Sequence, residues 1–220
     1  MVRSKLFENK NYQRIQENIK EYINSQSDFL SERTISSTRA VGDAIQNLIE
    51  DGFPEILNDV IVNYYSNFPR RAMEDLAFTD QEGNYYAVDI KTHRLDTDFN
   101  MPNLISVKRL SEFYENQKNY FIILAIAYSV DQIQITAEQV YFVPIEFFDW
   151  DCLTLAALGW CQIQIANSNT ITLNEHGSRK QWMIRMCDNL FNFYNKELSK
   201  IEDRIESFQR VKENWQQKEE

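Results

Sequence analysis

Apolar residues in the first part of the chain recur at helical spacing. Leu6, Tyr12, Ile15, Ile19, Tyr22 and Ile23 are separated by polar residues, which predicts an amphipathic helix from Lys5 to about Ser25. Thr34 to Ser37 offers capping side chains, and Val41, Ile45, Leu48 and Ile49 predict a next helix that Gly52-Phe53-Pro54 stops. Ile56 to Tyr65 has the periodicity of a third. The period then changes. Asp75 begins a short apolar run through Phe78, Thr79 to Asn84 is a turn cluster containing Gly83, and Tyr85 to Ile90 is aromatic and β-branched. This region predicts a β-hairpin.

Beyond it, Arg94 to Pro102 is polar and reads as a loop, and Leu104 to Tyr114 predicts a helix with Leu104, Val107, Leu110 and Tyr114 on one face. Tyr120 to Tyr128 is an unbroken apolar run, expected as a central buried strand. Gln139 to Pro144 predicts another strand. Trp160 to Ala166 alternates Gln162 and Gln164 against Cys161, Ile163 and Ile165, so one face is core and the other polar. Ser178-x-x-Gln181 has a capping-box pattern and opens a long helix without proline or glycine. Along that helix Ile184, Cys187, Phe191, Tyr194, Leu198, Ile201, Ile205, Phe208 and Trp215 follow a four-three spacing broken by Lys212. Such a seam needs a partner, either the chain's own core or a second subunit. The expectation is one mixed α/β domain over 1–220, with N-terminal helices over 1–68, a catalytic sheet core over 69–175 and a C-terminal helix over 178–216.

With 220 residues, 43% of them hydrophobic, the chain can bury a full core, and its 13% aromatic share points to ring packing. Five glycines and four prolines argue against a disordered chain. The sequence has no apolar run long enough to span a bilayer, and Met1-Val2-Arg3-Ser4-Lys5 lacks a signal-peptide apolar region, so a cytoplasmic location is expected. Cys152, Cys161 and Cys187 lie in apolar surroundings without metal-ligand spacing and read as small core residues. His93 and His176 are the only histidines, too few for a His-based metal nuclease.

The chemistry lies in the hairpin. Asp89 and Lys91 interrupt an apolar strand and share a face with Ala87, and burying a charge without a partner or metal is expensive. A neighbouring strand carrying Asp75 would bring a second carboxylate to that face. Phosphodiester hydrolysis wants such a set. Two carboxylates hold Mg²⁺, the Ile90 backbone carbonyl adds an oxygen ligand, and Lys91 stands by the attacking water or the phosphate as a point charge. The alternative on residue types alone is a surface hairpin with an incidental ion pair.

The chain also resembles the PD-(D/E)xK nuclease superfamily, with Glu74-Asp75 in place of Pro-Asp and Asp89-Ile90-Lys91 as the second half. The Glu-for-Pro change leaves the carboxylate in place. More narrowly, it resembles type II restriction endonucleases of the HincII and EcoRV kind through Val88 to Thr92, Met101 to Ser106, Gln162 to Ile165 and Ser178 to Trp182, in that order. The resemblance spans roughly Met73 to the C-terminal helix. It implies a restriction-endonuclease-like core and Mg²⁺-dependent, site-specific cleavage of double-stranded DNA to 5′-phosphate and 3′-hydroxyl ends. A short palindromic site would favour a homodimer, matching DNA symmetry with protein symmetry. A helix before the hairpin often contributes an acid in this superfamily, for which Glu50 or Asp43 is available. The candidate DNA contacts are Thr92, His93, Arg94, Asn100, Asn103, Lys108 and Gln164. Asn can bond adenine in a bidentate manner, although turns and helix caps use the same residue type. His93 follows Lys91 by two, where it either touches DNA or is a solvated strand end.

A net charge of −10 opposes a polyanionic partner. The field in a cleft depends on local charge, and Arg70-Arg71, Lys91, Arg94, Lys108-Arg109 and Arg179-Lys180 are the candidate phosphate contacts. Two other readings stay open. One is a structure-specific or repair nuclease with the same site chemistry. The other is a non-catalytic DNA-binding or assembly protein in which the long helix is the working part.

Overall fold

A computed structural model of the chain describes residues 4–8, 11–26, 30–69 and 71–218. Arg70, one of the candidate phosphate contacts, and Met1 to Arg3, the start of the segment read for a signal peptide, lie outside them. The fold is mixed α/β in two compact units, Met1–Glu175 and His176–Glu220.

The first unit carries β1 (Asn63–Tyr65), β2 (Leu76–Thr79), β3 (Tyr85–Arg94), β4 (Asn103–Ser106), β5 (Asn119–Asp131), β6 (Gln134–Pro144), β7 (Leu153–Ala156) and β8 (Gln162–Ile165). Its helices are α1 (Asn11–Ser25), the short α2 (Glu32–Ile35), α3 (Thr38–Leu57) and α4 (Val107–Phe113). Five strands form a mixed sheet in the order β1-β2-β3-β5-β6, and three form a smaller antiparallel sheet, β4-β8-β7. In the larger sheet only β3 and β5 run parallel, paired from Tyr85↔Asn119 to Arg94↔Tyr128. On its other side β3 is paired by β2 only as far as Leu76↔Val88. Residues beyond Val88 therefore form an open margin of β3, and α3 packs against that strand.

Close packing explains two glycines of α3. A Cβ at residue 42 would lie 2.7 Å from Thr92 Oγ1, and one at residue 52 would lie 2.2 Å from Tyr22 Cζ. Gly42 thus lets the helix approach β3, and Gly52 lets it approach α1. The core between helices and sheet combines aliphatic side chains such as Ile19, Ile23, Ile45 and Ile49 with a cluster of aromatic rings. Phe78 and Tyr86 stack with ring centroids 4.5 Å apart, and Tyr86 stacks on Tyr120 at 5.2 Å. The Tyr86 hydroxyl donates to Asp80 Oδ2 at 2.7 Å. Asp80 also accepts from the backbone N–H groups of Glu82 and Asn84, which closes the expected hairpin turn.

Several boundaries differ from expectation. The first segment divides into a 3₁₀ turn, Lys5–Phe7, and α1. Pro54 does not stop α3, which continues to Leu57. A proline there lacks the N–H that would bond the Glu50 carbonyl, and the Tyr64 hydroxyl donates to that carbonyl at 2.5 Å instead. The helix expected from Ile56 to Tyr65 is absent because Asn58 ends α3 with φ 30° and Asn63–Tyr65 pairs with β2. Leu104 to Ser106 belongs to β4 rather than to a helix, since β8 offers a partner for it, as in Ile105↔Ile163 and Ser106↔Gln162. Strand β7, unanticipated, completes that small sheet. Cys152 and Cys161 are buried, whereas Cys187 is exposed.

The second unit is α5 (Arg179–Gln216), entered through the expected capping box of Ser178 and Gln181. Its buried residues are Arg179, Trp182 and Met186. Among the described residues no helix is long and apolar enough to cross a membrane.

Candidate metal and nucleic-acid site

Alternation along β3 puts Asp89, Lys91 and His93 on one face of the sheet. Lys91 Nζ donates to Asp89 Oδ1 at 2.5 Å. The other oxygen, Asp89 Oδ2, is buried and has no hydrogen-bond partner in a residue that is 6% exposed. Burial pushes the Asp89 carboxyl up to about 7; the Lys91 ammonium opposes the rise, and the negative charge of Asp75 adds to it.

Asp75 stands just before β2 and is fastened to β3 by two hydrogen bonds. Its N–H donates to the Val88 carbonyl at 2.8 Å, and its Oδ2 accepts the Ile90 N–H at 2.7 Å. The hairpin register thereby brings the two carboxylates close enough for one to disfavour ionisation of the other. Asp75, Asp89 and the Ile90 carbonyl are all hard oxygen donors, and the unpartnered Asp89 Oδ2 is the kind of atom a divalent cation satisfies. Among the described residues no cluster of three or more His, Cys, Asp or Glu side chains forms a metal cage. The set suits Mg²⁺, which keeps several waters and uses one or two carboxylates together with substrate phosphate.

The open margin of β3 and α3 together line a cleft of about 410 Å³. From α3 come Thr38, Arg39, Gly42, Asp43 and Gln46; from the strand and following loop come Ile90 to Arg94, Thr97 and Asn100. Its formally charged residues are three cations, Arg39, Lys91 and Arg94, and one acid, Asp43. Two of these cations are paired with acids just outside the lining, Lys91 with Asp89 and Arg94 with Asp96. Of the two helix acids considered from sequence, Asp43 lines the cleft and Glu50 instead accepts from Gln46 Nε2 at 2.8 Å. Of the polar face made by Thr38, Arg39, Gly42, Asp43 and Gln46, sequence reasoning finds only Asp43; the three- and four-residue spacing is the signal for the rest.

The candidate DNA contacts fall in two places. Thr92, His93, Arg94 and Asn100 line the cleft. Arg94 pairs with Asp96 at 2.7 Å while its buried Nε has no partner. His93 is 6% exposed and engaged at both ring nitrogens, by Asn169 Oδ1 at 2.6 Å and Asn100 Nδ2 at 3.3 Å, so it anchors the loop rather than ending the strand in solvent. On the small sheet, Gln164 Nε2 donates to Asn103 Oδ1 at 2.7 Å across the β4–β8 pair. Lys108 pairs with Glu112 at 2.6 Å and lies 5.9 Å from the Trp160 ring centre. Arg109 Nη1 donates to the Arg71 carbonyl at 2.9 Å, Arg179 is buried and Lys180 is exposed.

In comparison with known proteins, no protein-family model matches the chain and no curated protein matches it by sequence.

Proposed function

We propose that this chain is a type II restriction endonuclease of the PD-(D/E)xK kind, a homodimeric, Mg²⁺-dependent enzyme that cuts double-stranded DNA at a specific short site. The observation that carries the reading is the buried, half-unpartnered Asp89 carboxylate, with Lys91 on one of its oxygens and the Asp75 charge beside it. A purely structural ion pair would leave the idle oxygen unexplained.

Asp75 and Asp89, with the Ile90 carbonyl, would hold Mg²⁺. The ion, when bound, supplies charge neutralisation at the phosphate and acidification of water. Asp75 keeps its orientation through the Ile90 N–H, so little reorganisation is needed when a ligand arrives. Lys91 is held at one end by Asp89 and keeps two further donor protons for the attacking water and a non-bridging phosphate oxygen. The water oxygen forms its bond to phosphorus as the bond to the 3′ oxygen breaks. That oxygen takes up a proton, leaving a 3′-hydroxyl and a 5′-phosphate. Arg39 and Arg94 supply positive charge along the approach, and Asn100, Asn103 and Gln164 offer amides to base edges.

The test is cleavage of mixed plasmid and phage DNA by the purified protein and its Lys91→Ala variant, with Mg²⁺ and with chelator. Discrete Mg²⁺-dependent fragments from the wild type alone support the reading. A smear indicates a structure-specific or repair nuclease with the same chemistry. Intact DNA across a broad panel favours the non-catalytic binding or assembly protein, the alternative that the acidic balance fits.

A further inference from the structure

The apolar seam of α5 is exposed along its length, from 40% at Tyr194 to 71% at Phe208 and 66% at Trp215. The helix's buried residues, Arg179, Trp182 and Met186, fall off the seam. We infer that two copies of this chain associate through α5 as an antiparallel coiled coil centred between Ser199 and Lys200. The inference specifies the dimer proposed above and rests on α5 alone.

The spacing is a strict heptad, with Ile184, Phe191, Leu198, Ile205 and Lys212 at positions a, and Cys187, Tyr194, Ile201, Phe208 and Trp215 at positions d. A heptad repeat sustained over this length specifies a left-handed two-helix seam. Orientation follows from the charges. In a parallel, in-register pair Lys212 would face Lys212 of the second copy, and Glu197 would face Glu202 twice. The antiparallel pair removes both conflicts. Leu198 then meets Ile201, Phe191 meets Phe208, and Lys212, the one charged seam residue, sits opposite the small Cys187. On one flank Glu197, which within its own helix accepts from Lys200 Nζ at 2.6 Å and must turn from it, meets Arg204, and Leu190 meets Val211, each twice by symmetry. Sliding by one heptad sets Glu197 against itself in one direction and Arg204 against itself in the other, so the register is specified by repulsion as well as attraction. At on the order of 100 Å² each, the nine apolar seam residues of each helix reach the roughly 800 Å² per partner of a standard stable interface.

Sedimentation velocity on the full chain, with circular dichroism as a folding check, tests this without reference to cleavage. Wild type is expected to dimerise, Glu197→Arg to weaken the dimer roughly tenfold or more, and Glu197→Arg with Arg204→Glu together to restore it. Diamide oxidation is the second reading. Lys212→Cys should cross-link to Cys187 of the second copy, and wild type should give no Cys187 disulfide dimer. A wild-type monomer at all concentrations, a dimer tightened by Glu197→Arg, or a wild-type dimer cross-linked through Cys187 would each overturn the inference. A chain that dimerises in this way yet leaves DNA intact defeats the nuclease reading alone.

Discussion

Asp75 Oδ2 accepts the backbone N–H of Ile90 at 2.7 Å, so one carboxylate of the site is fastened to the residue between Asp89 and Lys91. The bond needs an oxygen acceptor but not a charge, and that separates structure from function at this position. Asp75→Asn is expected to keep stability within about 0.5 kcal/mol, whereas Asp75→Ala loses about 1 kcal/mol by orphaning the N–H. On the proposed nuclease reading both should lose DNA cleavage by on the order of a thousandfold, because each would remove a charge from the metal's ligand set. Urea denaturation and calorimetric titration with Ca²⁺ check the two halves. An Asp75→Asn protein that binds the ion and cleaves like wild type would sink the metal assignment.

Asp89 gives the site a pH dependence of definite sign. Burial raises its folded pKa to about 7, above the unfolded value of 3.8. Its contribution to stability is therefore fully present below about pH 4 and is lost as pH rises through 7, because the buried site favours the protonated acid. Between pH 5 and pH 8 the metal-free wild type should lose a few kcal/mol relative to Asp89→Asn, read from urea midpoints. A cation must displace that proton, so Mg²⁺ affinity should rise with pH up to about 7 and then level off. Equal affinities at pH 6 and pH 8 would contradict this account.

The hairpin carrying the site was legible because the relevant signals are local. A turn rich in Asp, Gly and Asn joins two apolar runs, and charges at Asp89 and Lys91 break one of them. Long periodic segments were equally clear, as in α1 and the capping box of α5. What escaped depends on distant partners. Leu104 to Ser106 has no strand signal of its own and is extended because β8 lies beside it. Pro54 reads as a stop, yet the freed Glu50 carbonyl finds Tyr64, which follows only after a turn at Asn58. The α3 side of the cleft was hidden for the same reason. Its polar residues look like a solvated face until the sheet margin is placed against them.

That proline in α3 yields a test of how the helix tolerates it. Tyr64→Phe removes only the hydroxyl and leaves the Glu50 carbonyl without its donor. The variant should be destabilised by about 1 kcal/mol. With Pro54→Ala added, the helix can supply its own N–H, and the penalty from Tyr64→Phe should shrink by most of that amount. Urea midpoints across the four proteins of this cycle measure the coupling. A cycle with no coupling would mean that water, not Tyr64, satisfies the carbonyl.

Asn169 holds the loop that follows β3 against the site. Its Nδ2 donates to the carbonyls of Thr97 and Asp98 at 3.2 and 3.1 Å, while its Oδ1 lies 2.6 Å from His93 Nε2. On the other side of the ring, Asn100 Nδ2 faces His93 Nδ1 at 3.3 Å. An amide N–H₂ can only donate, so Nδ1 accepts, Nε2 carries the proton, and that proton goes to Asn169. One amide thus ties the strand end to both sides of the loop tip, and the loop carries Thr97 and Asn100 into the cleft wall. Asn169→Ala releases those bonds without touching Asp75, Asp89 or Lys91. Hydrogen exchange in residues 95–100 should quicken, stability should fall by roughly 1–2 kcal/mol, and Ca²⁺ binding should stay as in wild type. His93→Ala should loosen the same residues, and the double variant should cost less than the two singles together, because they share one hydrogen bond. On the proposed nuclease reading a loose loop would have to be ordered on DNA, so the Kd for DNA should rise about tenfold while single-turnover cleavage at saturation changes little. Slower saturated cleavage with unchanged Kd would instead place Asn169 in the chemistry rather than in the support of the loop.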